Sequence, residues 1–207
     1  MDGLILVDMQ NDFMPGGALA VADGDATVAV ANRLAPRFET VIATQDWHPA
    51  DHGSFVTAHP SRNVGDLTTL GGLDQVVWPV HCVQGTAGAE LHAGLDRRLI
   101  DEIVTKGTDT EIDSYSGFFD NGRRKATGLE EVLRQRGVNR VYLMGLATDY
   151  CVKHTALDAR RLGFDTILVE DGCRAVNLAP GDGERAIQEM RDAGVKVVRS
   201  EEIESLV

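Results

Sequence analysis

The stretch Val141-Tyr-Leu-Met-Gly-Leu-Ala-Thr-Asp-Tyr-Cys151 decides the fold. Residues 141–144 are a continuous apolar run of strand length. A helical pattern follows from about Asp149 to Leu162 and stops at Gly163, a residue suited to the left-handed position after a helix. An apolar strand, a short turn and a helix make up half of a βαβ unit. Working outward, the same alternation recurs. Leu4–Val7, Val41–Thr44, Ile103–Thr105, Thr166–Val169 and Val195–Val198 are further apolar runs. Between them lie helical patterns after Asp25, which reads as an N-cap, from Thr127 to Gly137, and over Glu184–Ala193. Thr127 and Glu130 have the spacing of a capping box. Strands of continuous apolar residues are covered on both faces, which predicts a parallel sheet between helical layers. The expected fold is α/β: a three-layer doubly wound sandwich, with a mostly parallel six-stranded sheet and helices on both faces.

The chain has 207 residues, a length ordinary for one α/β domain, and we expect a single domain over 1–207. A chain of this size buries roughly 70% of the surface its unfolded form exposes, so it needs no staple to fold. One segment breaks the rhythm. From about residue 46 to 98 there is little periodicity, yet five of the six His fall there. Long irregular stretches inside compact domains are usually functional, and we read this one as a site-forming excursion.

Composition excludes several classes. The 32 acidic and 20 basic residues give a net charge of −12, which argues against a phosphate-backbone binder. The sole basic cluster, Arg123-Arg124-Lys125, sits beside Asp120 and reads as a solvated turn. No apolar stretch reaches the ~18 residues of a membrane span, and the N-terminus lacks the basic region of a signal peptide. Three cysteines, Cys82, Cys151 and Cys173, with no Cys-x-x-Cys spacing, suit neither a disulfide framework nor a four-cysteine zinc site. A reducing cytoplasm is the expectation.

In open parallel sheets, ligands bind beyond the carboxyl ends of the strands, so the polar residues that end each apolar run matter most. They are Asp8, Asp46, Lys106, and Glu170 with Asp171, and the turn after residue 144 delivers Cys151. A cysteine in a first helical turn meets unpaired N–H groups and a positive dipole end, which would lower its pKa and could cradle an oxyanion. Asp8, just past a buried strand, would be poorly hydrated and suited to proton exchange, with Lys106 as its cationic neighbour. Asp46 and His48 project from one side of an extended backbone and can share an ion. A third ligand is needed. His52, His59 and His81 all compete on spacing; His81, held by the stiff Pro79 turn, is preferred.

Together these residues resemble a known family. Val7-Asp-Met-Gln-Asn-Asp-Phe13, Thr44-Gln-Asp-Trp-His48 with His52-Gly-Ser-Phe55, Trp78-Pro-Val-His-Cys-Val-Gln-Gly-Thr86, Lys106-Gly-Thr108, Tyr115-Ser-Gly-Phe118 and Gly145-Leu-Ala-Thr-Asp-Tyr-Cys-Val152 resemble the motifs of the nicotinamidase/pyrazinamidase group of isochorismatase-like cysteine hydrolases, in that group's order. The resemblance implies a metal-dependent amidohydrolase converting nicotinamide to nicotinate and ammonia through a thioester, and accepting pyrazinamide. It implies Cys151 as nucleophile, Asp8 as proton carrier and Lys106 as the cationic third member. Asp46, His48 and His81 would hold one divalent ion, with zinc expected and iron or manganese also suited to such donors. Ser54 stands where some relatives place another ligand, although a hydroxyl binds zinc poorly. Phe13, Trp78 and Tyr150 would sandwich the ring. The Leu146–Ala147 peptide would be cis, and the N–H groups of Ala147 and Cys151 would form the oxyanion hole. The alternative is a related hydrolase of another small amide or carbamoyl compound, whose members have no use for the metal set. The implied partner is a small molecule, with no nucleic acid and no membrane; homo-oligomerisation is compatible with the sequence.

Overall fold

A computed structural model describes residues 1–204. Its centre is a six-stranded sheet built from β1 (Asp2–Val7), β2 (Thr40–Asp46), β5 (Glu102–Lys106), β6 (Arg140–Leu146), β7 (Asp165–Arg174) and β8 (Lys196–Val198). The strand order is β5-β2-β1-β6-β7-β8 and every pairing is parallel. The six expected strands are therefore present, in a sheet that is wholly parallel. Residues 3–7 of β1 and all of β2 are buried, as strands covered on both faces must be. Leu4, Ile5, Ile42 and Leu143 are fully buried, and each such side chain contributes about 2 kcal/mol.

Helices surround the sheet. α1 (Ala26–Leu34) packs on β6 and β7, with α5 (Ser200–Glu204) beside it. α2 (Leu129–Gln135), α3 (Lys153–Arg161) and α4 (Asp182–Asp192) complete the set, with α3 against β7 and α4 against β8. Among the described residues, no helix is long and apolar enough to cross a membrane. The capping details differ from expectation. Asp25 makes no side-chain cap; the Thr27 hydroxyl donates to the Gly24 carbonyl instead. The Thr127 hydroxyl does accept the Leu129 N–H, but Glu130 pairs with Arg134 rather than reaching back.

The irregular segment is more ordered than its sequence suggests. It contains an antiparallel hairpin, β3 (Leu67–Leu70) and β4 (Leu73–Val76), and three 3₁₀ turns. Isolated bridges stitch it together: His48 to Val83 and Phe55 to Trp78, while Gln10 pairs with Leu91. Periodicity missed the hairpin because its strands are four residues long and half exposed.

The order of strands reverses between β1 and β6, the place where parallel sheets open a crevice. β6 reaches it with an irregular register against β7 between Leu143 and Gly145. Instead of stopping at Glu170 and Asp171, β7 continues to Arg174, pairing Cys173 with Gly145. Gly145 has φ +123°, and a Cβ there would lie 2.1 Å from the Val7 carbonyl oxygen. Gly145→Ala is expected to destabilise the fold by about 3 kcal/mol or more, read as a lowered urea midpoint. An acid limit is also expected. His154 of α3 lies against the Tyr115 ring, 5.4 Å between centroids, and burial, aided by Lys153, holds its pKa down to about 4. The unfolded chain binds that proton near 6.5, so stability present at pH 7 falls as pH drops from about 6.5 toward 4, by about 2 kcal/mol at pH 5. His154→Gln should flatten this slope in thermal unfolding across the same pH range.

Candidate active site

Four strand ends meet at the crevice. Asp8 follows β1, Lys106 ends β5 beside Asp46 of β2 in register, and Cys151 follows β6. All four are buried. The Lys106 Nζ lies 2.8 Å from Asp8 Oδ2 and 3.4 Å from Cys151 Sγ, and it also pairs with Asp46 and donates to the Ser114 carbonyl at 2.9 Å. The Thr44 hydroxyl donates to Asp8 Oδ1 at 2.7 Å, leaving the other oxygen toward the ammonium.

The helical environment of Cys151 departs from expectation. It sits in a π-helical turn, Thr148–Val152, that precedes α3, with the Tyr150 and Val152 N–H groups donating to the Ala147 carbonyl. The Leu146–Ala147 peptide is cis. Burial pushes the Cys151 thiol well above its ordinary pKa, and Lys106, although it works the other way, does not reverse this. The resting group is a thiol, not the thiolate that a first helical turn would favour. Burial likewise raises Asp8, against the pull of Lys106, which makes it a better proton acceptor than an exposed carboxylate. Lys106 is held charged: burial works to lower its pKa, but Asp46 and Asp8 outweigh that.

On the other flank, Asp46, His48 and His81 converge, with one donor atom from each within 4.8 Å of the others. His48 Nε2 is 3.6 Å from Asp46 Oδ2. The His48 Nδ1–H donates to the Gly107 carbonyl at 2.8 Å, and the His81 Nδ1–H to the Pro79 carbonyl at 2.8 Å. Such carbonyl contacts fix the tautomer and leave Nε2 as the ligand atom. Burial and His48 hold His81 down to about 4, so it is neutral. For Asp46, burial works upward, but Lys106 and His48 hold it far below the carboxylate range. Asp46 raises His48 despite burial, the signature of a spot that favours a cation. Two carboxylates against one ammonium leave negative charge uncompensated, and this donor set fits a divalent ion.

Ser54 and His59 are engaged with other partners, while the His52 ring lies 4.3 Å from that of His48, centroid to centroid. Ser54 Oγ is taken by His52 Nδ1 at 2.8 Å, and His59 Nε2 donates to the Gly53 carbonyl. His52 belongs to a second cluster with His48 and Asp113. Cys82 and Cys173 are buried free thiols, the latter pushed up to about 12 by burial.

Between the two flanks lies a narrow cavity lined by Phe13, Trp78, Tyr150, Ala147, Cys151 and His81 among others. The Trp78 and Tyr150 rings meet edge to face with centroids 4.9 Å apart. Sequence reading missed Tyr115, whose hydroxyl accepts from Trp78 Nε1 at 3.1 Å and from Gln75, and whose ring packs on Tyr150. It also missed Thr44, which holds Asp8, and Asp113 beside His48 and His52; Thr44 and Tyr115 stand inside the 44–48 and 115–118 motifs, which were the available signal.

Comparison with known proteins agrees with this geometry. An E. coli nicotinamidase is 52% identical over 197 residues, covering 92% of this chain and 91% of the relative. A solved Acinetobacter nicotinamidase/pyrazinamidase superposes with TM-score 0.94 at 44% identity, covering 98% and 97% of the two chains. A Pyrococcus horikoshii pyrazinamidase solved in complex with zinc superposes with TM-score 0.78 at 40% identity, covering 96% and 98%. The Isochorismatase domain model matches residues 2–202, and the chain belongs to that family.

Proposed function

We propose that the protein is a metal-dependent cysteine amidohydrolase that converts nicotinamide to nicotinate and ammonia, and pyrazinamide to pyrazinoate. The observation that carries this reading is Cys151, backed by the buried Asp8 and Lys106, on one side of an aromatic cavity whose other side carries Asp46, His48 and His81. Relatives named nicotinamidase and pyrazinamidase, one of them solved with zinc, support it.

Asp46, His48 and His81 would hold one divalent ion, zinc foremost. When bound, the ion supplies a Lewis-acidic contact for a ring nitrogen, which orients the substrate. Phe13, Trp78 and Tyr150 close on the ring faces and keep bulk water out. Asp8 takes the proton of the Cys151 thiol and becomes neutral, and the Lys106 ammonium stabilises the thiolate so produced. The sulfur attacks the carboxamide carbon, and the N–H groups of Ala147 and Cys151 receive the oxyanion. Collapse breaks the C–N bond, and the proton on Asp8 leaves with ammonia. Asp8 then draws a proton from water, whose oxygen attacks the thioester carbon; the C–S bond breaks and Cys151 regains its proton.

The chain would work as one domain, since the excursion over about 46–98 supplies the metal ligands to a sheet it cannot replace. Three buried free thiols support a reducing, cytoplasmic setting. Metal-loaded enzyme should release ammonia from nicotinamide. Chelation should abolish or sharply reduce this, and Cys151→Ala should lower kcat by at least about 1,000-fold. Full activity in Cys151→Ala would overturn the mechanism; turnover of a carbamoyl compound in place of nicotinamide would overturn the substrate. Losing the Thr44 hydroxyl in Thr44→Val should lower kcat more than it raises KM, because Asp8 is then misaimed while the cavity wall is intact.

A further inference from the structure

Two side chains in the turn after β1 touch neither the ring cavity's reacting atoms nor the metal donors, yet they grip the backbone on which all three donors stand. Gln10 is fully buried. Its Nε2 donates to the Asp46 carbonyl at 2.7 Å and to the Ala89 carbonyl at 2.8 Å, and its Oε1 accepts the Asp46 N–H at 2.8 Å. Both backbone groups of Asp46 are thus held by one side chain.

Asp12 does the corresponding work for the histidines. Its Oδ2 accepts the N–H of Cys82 at 2.7 Å, and its Oδ1 accepts the N–H of Ala18 at 3.3 Å. Cys82 is the residue after His81 and stands at φ +47°, a left-handed conformation that a non-glycine residue keeps only when its neighbours enforce it. The Cys82 carbonyl accepts the His48 N–H at 2.9 Å. One residue therefore joins His81 through the chain and His48 through a hydrogen bond, and Asp12 fixes its orientation. The surroundings are shaped around that carboxylate: a Cβ on Gly88 would fall 2.3 Å from an Asp12 oxygen.

We propose that Gln10 and Asp12 are positioning residues of the metal site, setting the mutual distances of Asp46, His48 and His81. The proposal rests on the metal reading of those three residues. It also explains why base and metal flanks keep their register, since Asp8 and both grips lie within five consecutive residues. Outer groups that orient metal ligands typically change affinity 10–100-fold when removed.

The test uses the full chain, stripped of metal and titrated with zinc against a chromogenic zinc chelator, alongside thermal unfolding of the metal-free forms. Asp12→Ala and Gln10→Leu should weaken zinc 10–100-fold. Asp12→Asn, which keeps one acceptor oxygen, should fall between Asp12→Ala and wild type. Asp101→Asn serves as control, because Asp101 anchors the Val41 N–H at 2.7 Å at the far end of the sheet; it should bind zinc as wild type does. If Gln10→Leu fails to fold, the two Asp12 variants decide. Wild-type affinity in folded Asp12→Ala and Asp12→Asn would overturn the proposal while leaving the metal site intact. Equal weakening in Asp101→Asn would reduce the effect to general destabilisation and also overturn it. A wild-type protein that takes up no zinc would overturn the metal reading and the proposal with it.

Discussion

The ammonium of Lys106 is the interaction on which the rest depends. It has no exposed side-chain surface, and it is surrounded by Asp8, Asp46, the Ser114 carbonyl and the Cys151 sulfur. An isolated buried charge would cost several kcal/mol, so the ammonium is tolerable only with its partners in place, and the carboxylates only with it. That mutual need ties β1, β2, β5 and the turn after β6 to one geometry. The parallel register that sets Asp46 opposite Lys106 is as much a part of the site as the side chains.

Lys106 also joins two kinds of chemistry. On one side it faces a thiol and a carboxylate whose pKa values burial has pushed upward. On the other it faces a carboxylate held fully ionised beside two imidazoles. The same burial acts on both carboxylates with opposite outcomes, because Lys106 and the His48 imidazole outweigh it at Asp46, whereas at Asp8 the charge of Asp46 adds to it. One acid is left able to exchange a proton and the other to hold a cation, with the Lys106 ammonium between them.

Much of this was legible in the sequence. Continuous apolar runs over 4–7, 41–44 and 141–144 marked buried parallel strands, and polar residues at their ends marked the crevice. Local signals failed where local chemistry had tertiary competition. Asp25 was a reasonable cap by residue type, but the Thr27 hydroxyl took over the turn. The β3–β4 hairpin left no pattern because its alternation spans only four residues a side. Gln10 and Asp12 looked like polar residues of a loop, and nothing in their spacing told which backbone groups they would meet.

By itself the sequence determined the layer architecture, since hydrophobic runs can be buried in few ways, and it determined which reactive residue types stand at strand ends. Spacing left His52 and His59 competing with the preferred His81; the tertiary structure brings His81 within reach of both Asp46 and His48 and groups His52 with His48 and Asp113 instead, because that grouping depends on where the excursion folds back across His48 and Val83. Tertiary structure alone decided the protonation of Cys151. Position at a helix start argues for a thiolate, but desolvation scales with the whole surrounding protein, and in this crevice burial outweighs the ammonium 3.4 Å away.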